Sequence, residues 1–113
     1  MDSQAPADTE TAEVLDGVYL TQLAAGERTS VQRFHIEPGA TVGEHSHDNE
    51  QAGYVVDGTL TLIVDGEKRV LRQGESYVLA PDEPHAAANN GEVPVNGVEV
   101  FSPPRVSPPW SED

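Results

Sequence analysis

Short runs of β-branched, aromatic and aliphatic residues, closed by glycine, proline, aspartate or asparagine, divide this chain so finely that no long amphipathic helix fits in it. Val18–Leu23, Thr29–Ile36, Gln51–Val56, Thr59–Val64, Lys68–Leu71, Ser76–Ala80, His85–Asn89 and Val95–Phe101 each read as a strand. Asp57-Gly58 and Asp65-Gly66 are hairpin signals, because the favoured two-residue turn needs positive φ at both central positions. Leu60, Leu62 and Val64 share one face of their strand and Thr59 and Thr61 the other, the alternation of an antiparallel sheet with a wet side. Many short strands leave exposed edges unless the sheet closes. The expected fold class is therefore all-β, closed as a barrel or two-sheet jelly roll with a ligand cavity at its mouth.

A length of 113 residues supports one domain. Residues 1–13 mix acids, Thr, Ala and Pro6 without periodicity and are expected to form a mobile acidic arm, with the barrel over 14–102. The end, 103–113, is Pro-rich and is expected to run as polyproline II from about Phe101, with the only tryptophan, Trp110, docked on a barrel. The first fourteen residues hold no apolar core segment, so neither a signal peptide nor a membrane span is expected there, and a cytoplasmic location follows as an expectation. The absence of cysteine excludes disulfides, thiolate metal sites and a cysteine nucleophile. Asp and Glu number 20 against 6 Lys and Arg, a formal charge of −14 whose field repels phosphate backbones and anionic lipids. Nucleic-acid and membrane partners are thus not expected. The acids are scattered rather than gathered in one block, which fits adaptation to a salt-rich cytoplasm.

Two of the four histidines, His45 and His47, are separated by one residue, so in an extended chain both point the same way. Gln51 has that parity too. Glu50 has the opposite parity, although a bend across Asp48-Asn49 would reverse the order, so both stay open as a fourth ligand. His85 follows a strand and a Pro81-x-x-Pro84 turn that fixes its approach. Three neutral imidazoles and an amide oxygen suit a divalent transition metal. His35 lacks a partner at two-residue spacing and reads as a packed or surface strand residue. Tyr54 reads as barrel packing.

Gly39, His45, His47, Gln51 and Gly58 fill the pattern Gly, five residues, His-x-His, three residues, Glu or Gln, six residues, Gly; Gly74, Pro81, His85 and Asn89 form a second fragment. Together they resemble the paired motifs of the cupin superfamily, with Pro81 one residue later than the commonest spacing. The resemblance implies a single-domain cupin barrel (double-stranded β-helix) and a homodimer. It also implies one divalent transition metal per subunit, Ni, Zn, Fe, Mn or Cu, held by His45, His47, Gln51 and His85.

Glu99-Val100-Phe101-Ser102-Pro103-Pro104-Arg105 is similar to the terminal Asp-x-Phe-x-Pro-x-Arg of pectin-degradation-type cupins, which also carry Gln at the fourth ligand position and promote linearisation of unsaturated uronate sugars. That resemblance implies Glu99 as the proton-transfer group, Phe101 as a wall of the sugar pocket and Arg105 as the clamp on a substrate carboxylate. Here Glu replaces Asp, which displaces the carboxylate by a methylene. Taken alone, Glu99 and Arg105 read equally as a surface pair and Phe101 as a core residue. The function expected is a metal-dependent enzyme acting on a small carboxylated sugar or keto acid. A cupin dioxygenase and a non-catalytic small-molecule or metal-binding barrel are the alternatives.

Overall fold

Alternation in the third run sets the architecture. Ser30, Gln32, Phe34 and Ile36 are buried, while Val31, Arg33 and His35 lie on the outer side, so this strand can only cover a core with one face. The structure, a computed structural model, describes residues 1–106; the expected docking of Trp110 lies outside the described residues. In chain order the strands are β1 (Thr11–Leu15), β2 (Val18–Ala25), β3 (Ser30–Ile36), β4 (Thr41–His45), β5 (Glu50–Asp57), β6 (Thr59–Val64), β7 (Glu67–Arg72), β8 (Ser76–Leu79), β9 (His85–Ala88) and β10 (Val95–Ser102). They form a six-stranded sheet, β1-β2-β3-β10-β5-β8, and a four-stranded sheet, β4-β9-β6-β7, with antiparallel pairing. The molecule is a single-domain, two-sheet jelly roll. Among the described residues no helix is long and apolar enough to cross a membrane.

Val18, Phe34, Ile36, Val42, Val55, Leu60, Leu62, Leu71 and Val95 interlock between the sheets, each full burial contributing about 1.5–3 kcal/mol for side chains of this size. Gly97 belongs to this packing although it has no side chain, because a Cβ there would overlap the Phe34 ring on the neighbouring strand.

Four expectations change. The arm expected over 1–13 overlaps β1, which pairs with β2 from Thr11↔Thr21 to Leu15↔Val18, and the Asp2 carboxylate accepts the Ala25 N–H at 2.9 Å. The cause is the Asp16-Gly17 turn, with Gly17 at φ +75°, which folds β1 back on β2. Asp57-Gly58 does not make a hairpin: β5 and β6 lie in different sheets, so this pair is a corner between them. A Cβ at Gly58 would overlap the Pro94 carbonyl oxygen, so the corner needs glycine for space as well as for its φ of +83°. By contrast Asp65-Gly66, both at positive φ, closes the β6–β7 hairpin as expected. Finally, polyproline geometry does not begin at Phe101, since β10 runs on to Ser102. Thr61, expected on the wet side of β6, is buried between Ala88 and Val70 on the flanking strands.

Candidate metal centre

His45 closes β4 and His85 opens β9, and the two are register partners in the same sheet. His47 stands two residues further, just before the bend at Asp48-Asn49. The three rings pack against one another with centroids 4.4 Å (His45 and His85), 5.0 Å (His47 and His85) and 5.9 Å (His45 and His47) apart. One ring nitrogen from each lies within 4.8 Å of the others.

Each Nδ1 sits beside a backbone carbonyl: His45 beside Gly43 O at 2.8 Å, His47 beside Asn49 O at 3.0 Å and His85 beside Glu83 O at 2.8 Å. A carbonyl only accepts, so Nδ1 carries the proton in all three rings and Nε2 is left with its lone pair. The Nε2 of His85 is buried and has no hydrogen-bond partner among the described residues. That of His47 lies 3.0 Å from Gln51 Oε1, another acceptor. Donor atoms about 3 Å apart are what a cation with bonds of ~2.1 Å at right angles brings together. Burial pushes His45 down to about 4 and also lowers His85, so both rings are neutral at neutral pH, the form that ligates. The residues present therefore fit a divalent transition ion.

The bend across Asp48-Asn49 is present, yet it does not bring Glu50 inward. Asn49 is buried and donates its Nδ2 to Pro103 O at 2.6 Å, so β5 starts with Glu50 exposed and Gln51 buried. Gln51 lines the cavity beside His45 and His85.

Beyond Gln51 the same cavity is lined by Glu99, Tyr77 and Arg105 and walled by Leu60, Leu62 and Leu79. Its volume is about 50 Å³. Glu99 and Arg105 are not a surface pair. Glu99 accepts from Gln32 Nε2 at 2.7 Å, Gln51 Nε2 at 2.9 Å and the Tyr77 hydroxyl at 3.3 Å. Burial pushes its carboxyl above the usual range, against the opposing pull of Arg105, Gln32 and Tyr77. The Arg105 guanidinium lies 3.9 Å from the centre of the Phe101 ring, and its backbone is pinned by Ser30, whose hydroxyl accepts the Arg105 N–H at 2.9 Å.

Phe101, expected as a pocket wall, is instead fully buried under Arg105, with its ring 5.7 Å from that of His47. It supports Arg105 and His47 from behind. Asn89, a position of the second motif, is a structural pin: it donates to Ile36 O and Val93 O and accepts from the Gly91 N–H. His35 lies on the outer face of its sheet against Tyr19, with Asn96 at 2.7 Å and Glu37 at 3.2 Å. Tyr54, expected in the packing, is 48% exposed on that outer face.

Gln32 and Tyr77 are the site residues that sequence reasoning missed. Gln32 shares its parity with Phe34 and Ile36, and a polar residue on a core-facing stripe was the available signal. Tyr77 had no local signal. Its ring reaches Glu99 because Gly53, the register partner of both, lacks the side chain that would block it.

The chain aligns over its fold with solved structures. KdgF from a Halomonas species matches with a TM-score of 0.85 and 25% identity, covering 94% of this chain and 96% of that one. An RmlC-like cupin from Shewanella frigidimarina matches with a TM-score of 0.81 and 25% identity, covering 94% and 97%. A predicted oxalate decarboxylase from Thermotoga maritima shares the fold at 18% identity and a TM-score of 0.75, covering 88% and 96%. No curated protein matches the chain. Residues 32–101 match the Cupin_2 family, described as a cupin domain, and they include all three imidazoles, Gln51 and Glu99, so the chain belongs to that family.

Proposed function

We infer that the protein is a metal-dependent enzyme acting on a small carboxylated sugar or keto acid, of the uronate ring-opening or isomerising type. The observation that carries this reading is the shared cavity: a half-buried carboxylate with a raised pKa, Glu99, and a buried cation, Arg105, line the same space as His45 and His85. A binding barrel has no need of a carboxyl whose pKa is raised in this way, whereas proton transfer makes use of one.

His45, His47, His85 and Gln51 would hold the ion. When bound, it supplies Lewis acidity toward a carbonyl or carboxylate oxygen. Arg105 offers the forked donor set that recognises a carboxylate. Glu99 exchanges a proton with the carbon or oxygen brought beside it, and Leu60, Leu62 and Leu79 keep bulk water out. The likeness of Glu99, Phe101 and Arg105 to the terminal motif of pectin-degradation-type cupins supports the same reading, as does the 25% identity to KdgF. A homodimer and a cytoplasmic location belong to this proposal.

The test is turnover of an unsaturated uronate, followed by loss of its ultraviolet absorbance, beside an oxygen electrode. Loss of absorbance without oxygen uptake, reduced about a hundredfold or more in Glu99→Gln at equal metal content, is the expected result. Oxygen uptake with a phenolic or diketone substrate would overturn it in favour of a dioxygenase. Tight binding of the uronate with no turnover would overturn it in favour of a binding barrel.

A further inference from the structure

Gln51 can serve a cation only with its oxygen. The amide has two ends of similar size, and nothing in the chain leading to it decides which one faces the histidines. In the metal-free protein the lone pair on His47 Nε2 would attract the NH2 end. Yet Oε1 is the atom found 3.0 Å from His47, and Nε2 points the other way, to Glu99 Oε1 at 2.9 Å. A carboxylate accepts and an amide oxygen cannot donate, so a turned-over amide would set two oxygens against each other at Glu99. The other Glu99 contacts make this constraint stiff. Gln32 Nε2 donates to Oε2 at 2.7 Å and the Tyr77 hydroxyl to Oε1 at 3.3 Å, so the carboxylate is held from β3 on one side and from β8, beyond β5, on the other. Glu99 is in register with Gln32 on β3 and with Gly53 on β5, and Gly53 is in register with Tyr77 on β8. The row Gln32, Glu99, Gly53, Tyr77 thus crosses four adjacent strands, and the missing side chain at Gly53 is what admits the Tyr77 ring.

We propose that Glu99, clamped by Gln32 and Tyr77, is a positioning residue for the metal ligand Gln51: it binds the amide NH2 and so presents the amide oxygen to the cation. This rests on the metal site inferred above and adds to Glu99 a role separate from proton transfer. The longer glutamate has a use here. It lets one carboxylate meet donors from Gln32 on one side and from Gln51 and Tyr77 on the other.

The test measures affinity for Zn²⁺ and Ni²⁺ alone, by chelator competition, with no substrate present. Outer partners of ligands commonly change affinity by about 10- to 100-fold. Glu99→Met, which removes the acceptor at similar length, is expected to weaken both metals at least tenfold, and Tyr77→Phe about two- to fivefold. Gln51→Ala should weaken binding at least tenfold in the wild-type background but less than threefold when added to Glu99→Met, because a freed amide no longer presents its oxygen. Losses that multiply independently, or a Glu99→Met affinity within twofold of wild type, overturn the proposal. Should Glu99→Met not fold, Tyr77→Phe and Gln32→Leu carry the same cycle against Gln51→Ala, and independence there overturns it equally. A wild type that binds neither metal overturns the metal site as well. An intact coupling with no uronate turnover leaves this role of Glu99 standing and overturns only the proposed reaction.

Discussion

Three rings that each spend their Nδ1 proton on a backbone carbonyl are committed to a single chemistry at Nε2. The commitment is made by the local chain: Gly43, Asn49 and Glu83 each lie two residues from the histidine they orient. It also has a pH signature. Unfolded, a histidine takes a proton as pH falls through about 6.5, whereas His45 in the folded chain stays neutral down to about 4 because burial penalises its charge. Between those values the unfolded chain binds more protons, so the folded state is most stable above 6.5 and loses stability as pH falls toward 4. His85 is lowered for the same reason and acts in the same direction. The metal-free protein should therefore show a thermal midpoint that falls through this window, and His45→Gln should make the fall shallower. Equal slopes in the two proteins, measured by circular dichroism, would contradict the assignment.

Among the elements, the two Asp-Gly pairs around β6 look alike in sequence and do different work. Gly66 has open space around its α-carbon, so Gly66→Ala meets only the backbone penalty of a left-handed φ, about 1–2 kcal/mol. Gly58→Ala adds overlap with the Pro94 backbone, with Val95 Cα at 3.0 Å, and overpacking of that kind costs about 1–3 kcal/mol more. Denaturant unfolding should rank the variants in that order; the reverse order would show that the corner between the sheets yields more easily than the hairpin. Most strands were legible because Val18–Leu23, Thr59–Val64 and Val95–Phe101 are short runs rich in β-branched, aromatic and aliphatic residues with clear stops. β1 was missed although Asp16-Gly17 announced it, because Glu10 and Glu13 made the segment look solvated. β4 was missed because Thr41–His45 is short and mostly polar. His45, His47 and His85 could be read from spacing. The Gln32, Glu99 and Tyr77 contacts could not, because they depend on which strands become neighbours: β10 inserts between β3 and β5 only in the folded sheet.

At the scale of the whole molecule, the chain carries 20 acids against 6 cationic side chains, and folding draws these charges together, so self-repulsion opposes the compact state. Screening relieves it: the Debye length shrinks from about 10 Å at 0.1 M salt to about 3 Å at 1 M. The thermal midpoint should rise over that range of KCl, and a flat or falling midpoint would remove the case for adaptation to salt. The proposed homodimer is checked in the same buffers by light scattering, where a monomer at micromolar concentration in high salt would contradict it. Fold, cavity and charge all serve one claim, that this jelly roll brings His45, His47, His85 and Gln51 together around a divalent ion. Elemental analysis of the purified protein beside His85→Ala tests it most directly. About one transition-metal ion per chain in the wild type and less than a tenth of that in the variant is the predicted result; equal metal content in the two would contradict it.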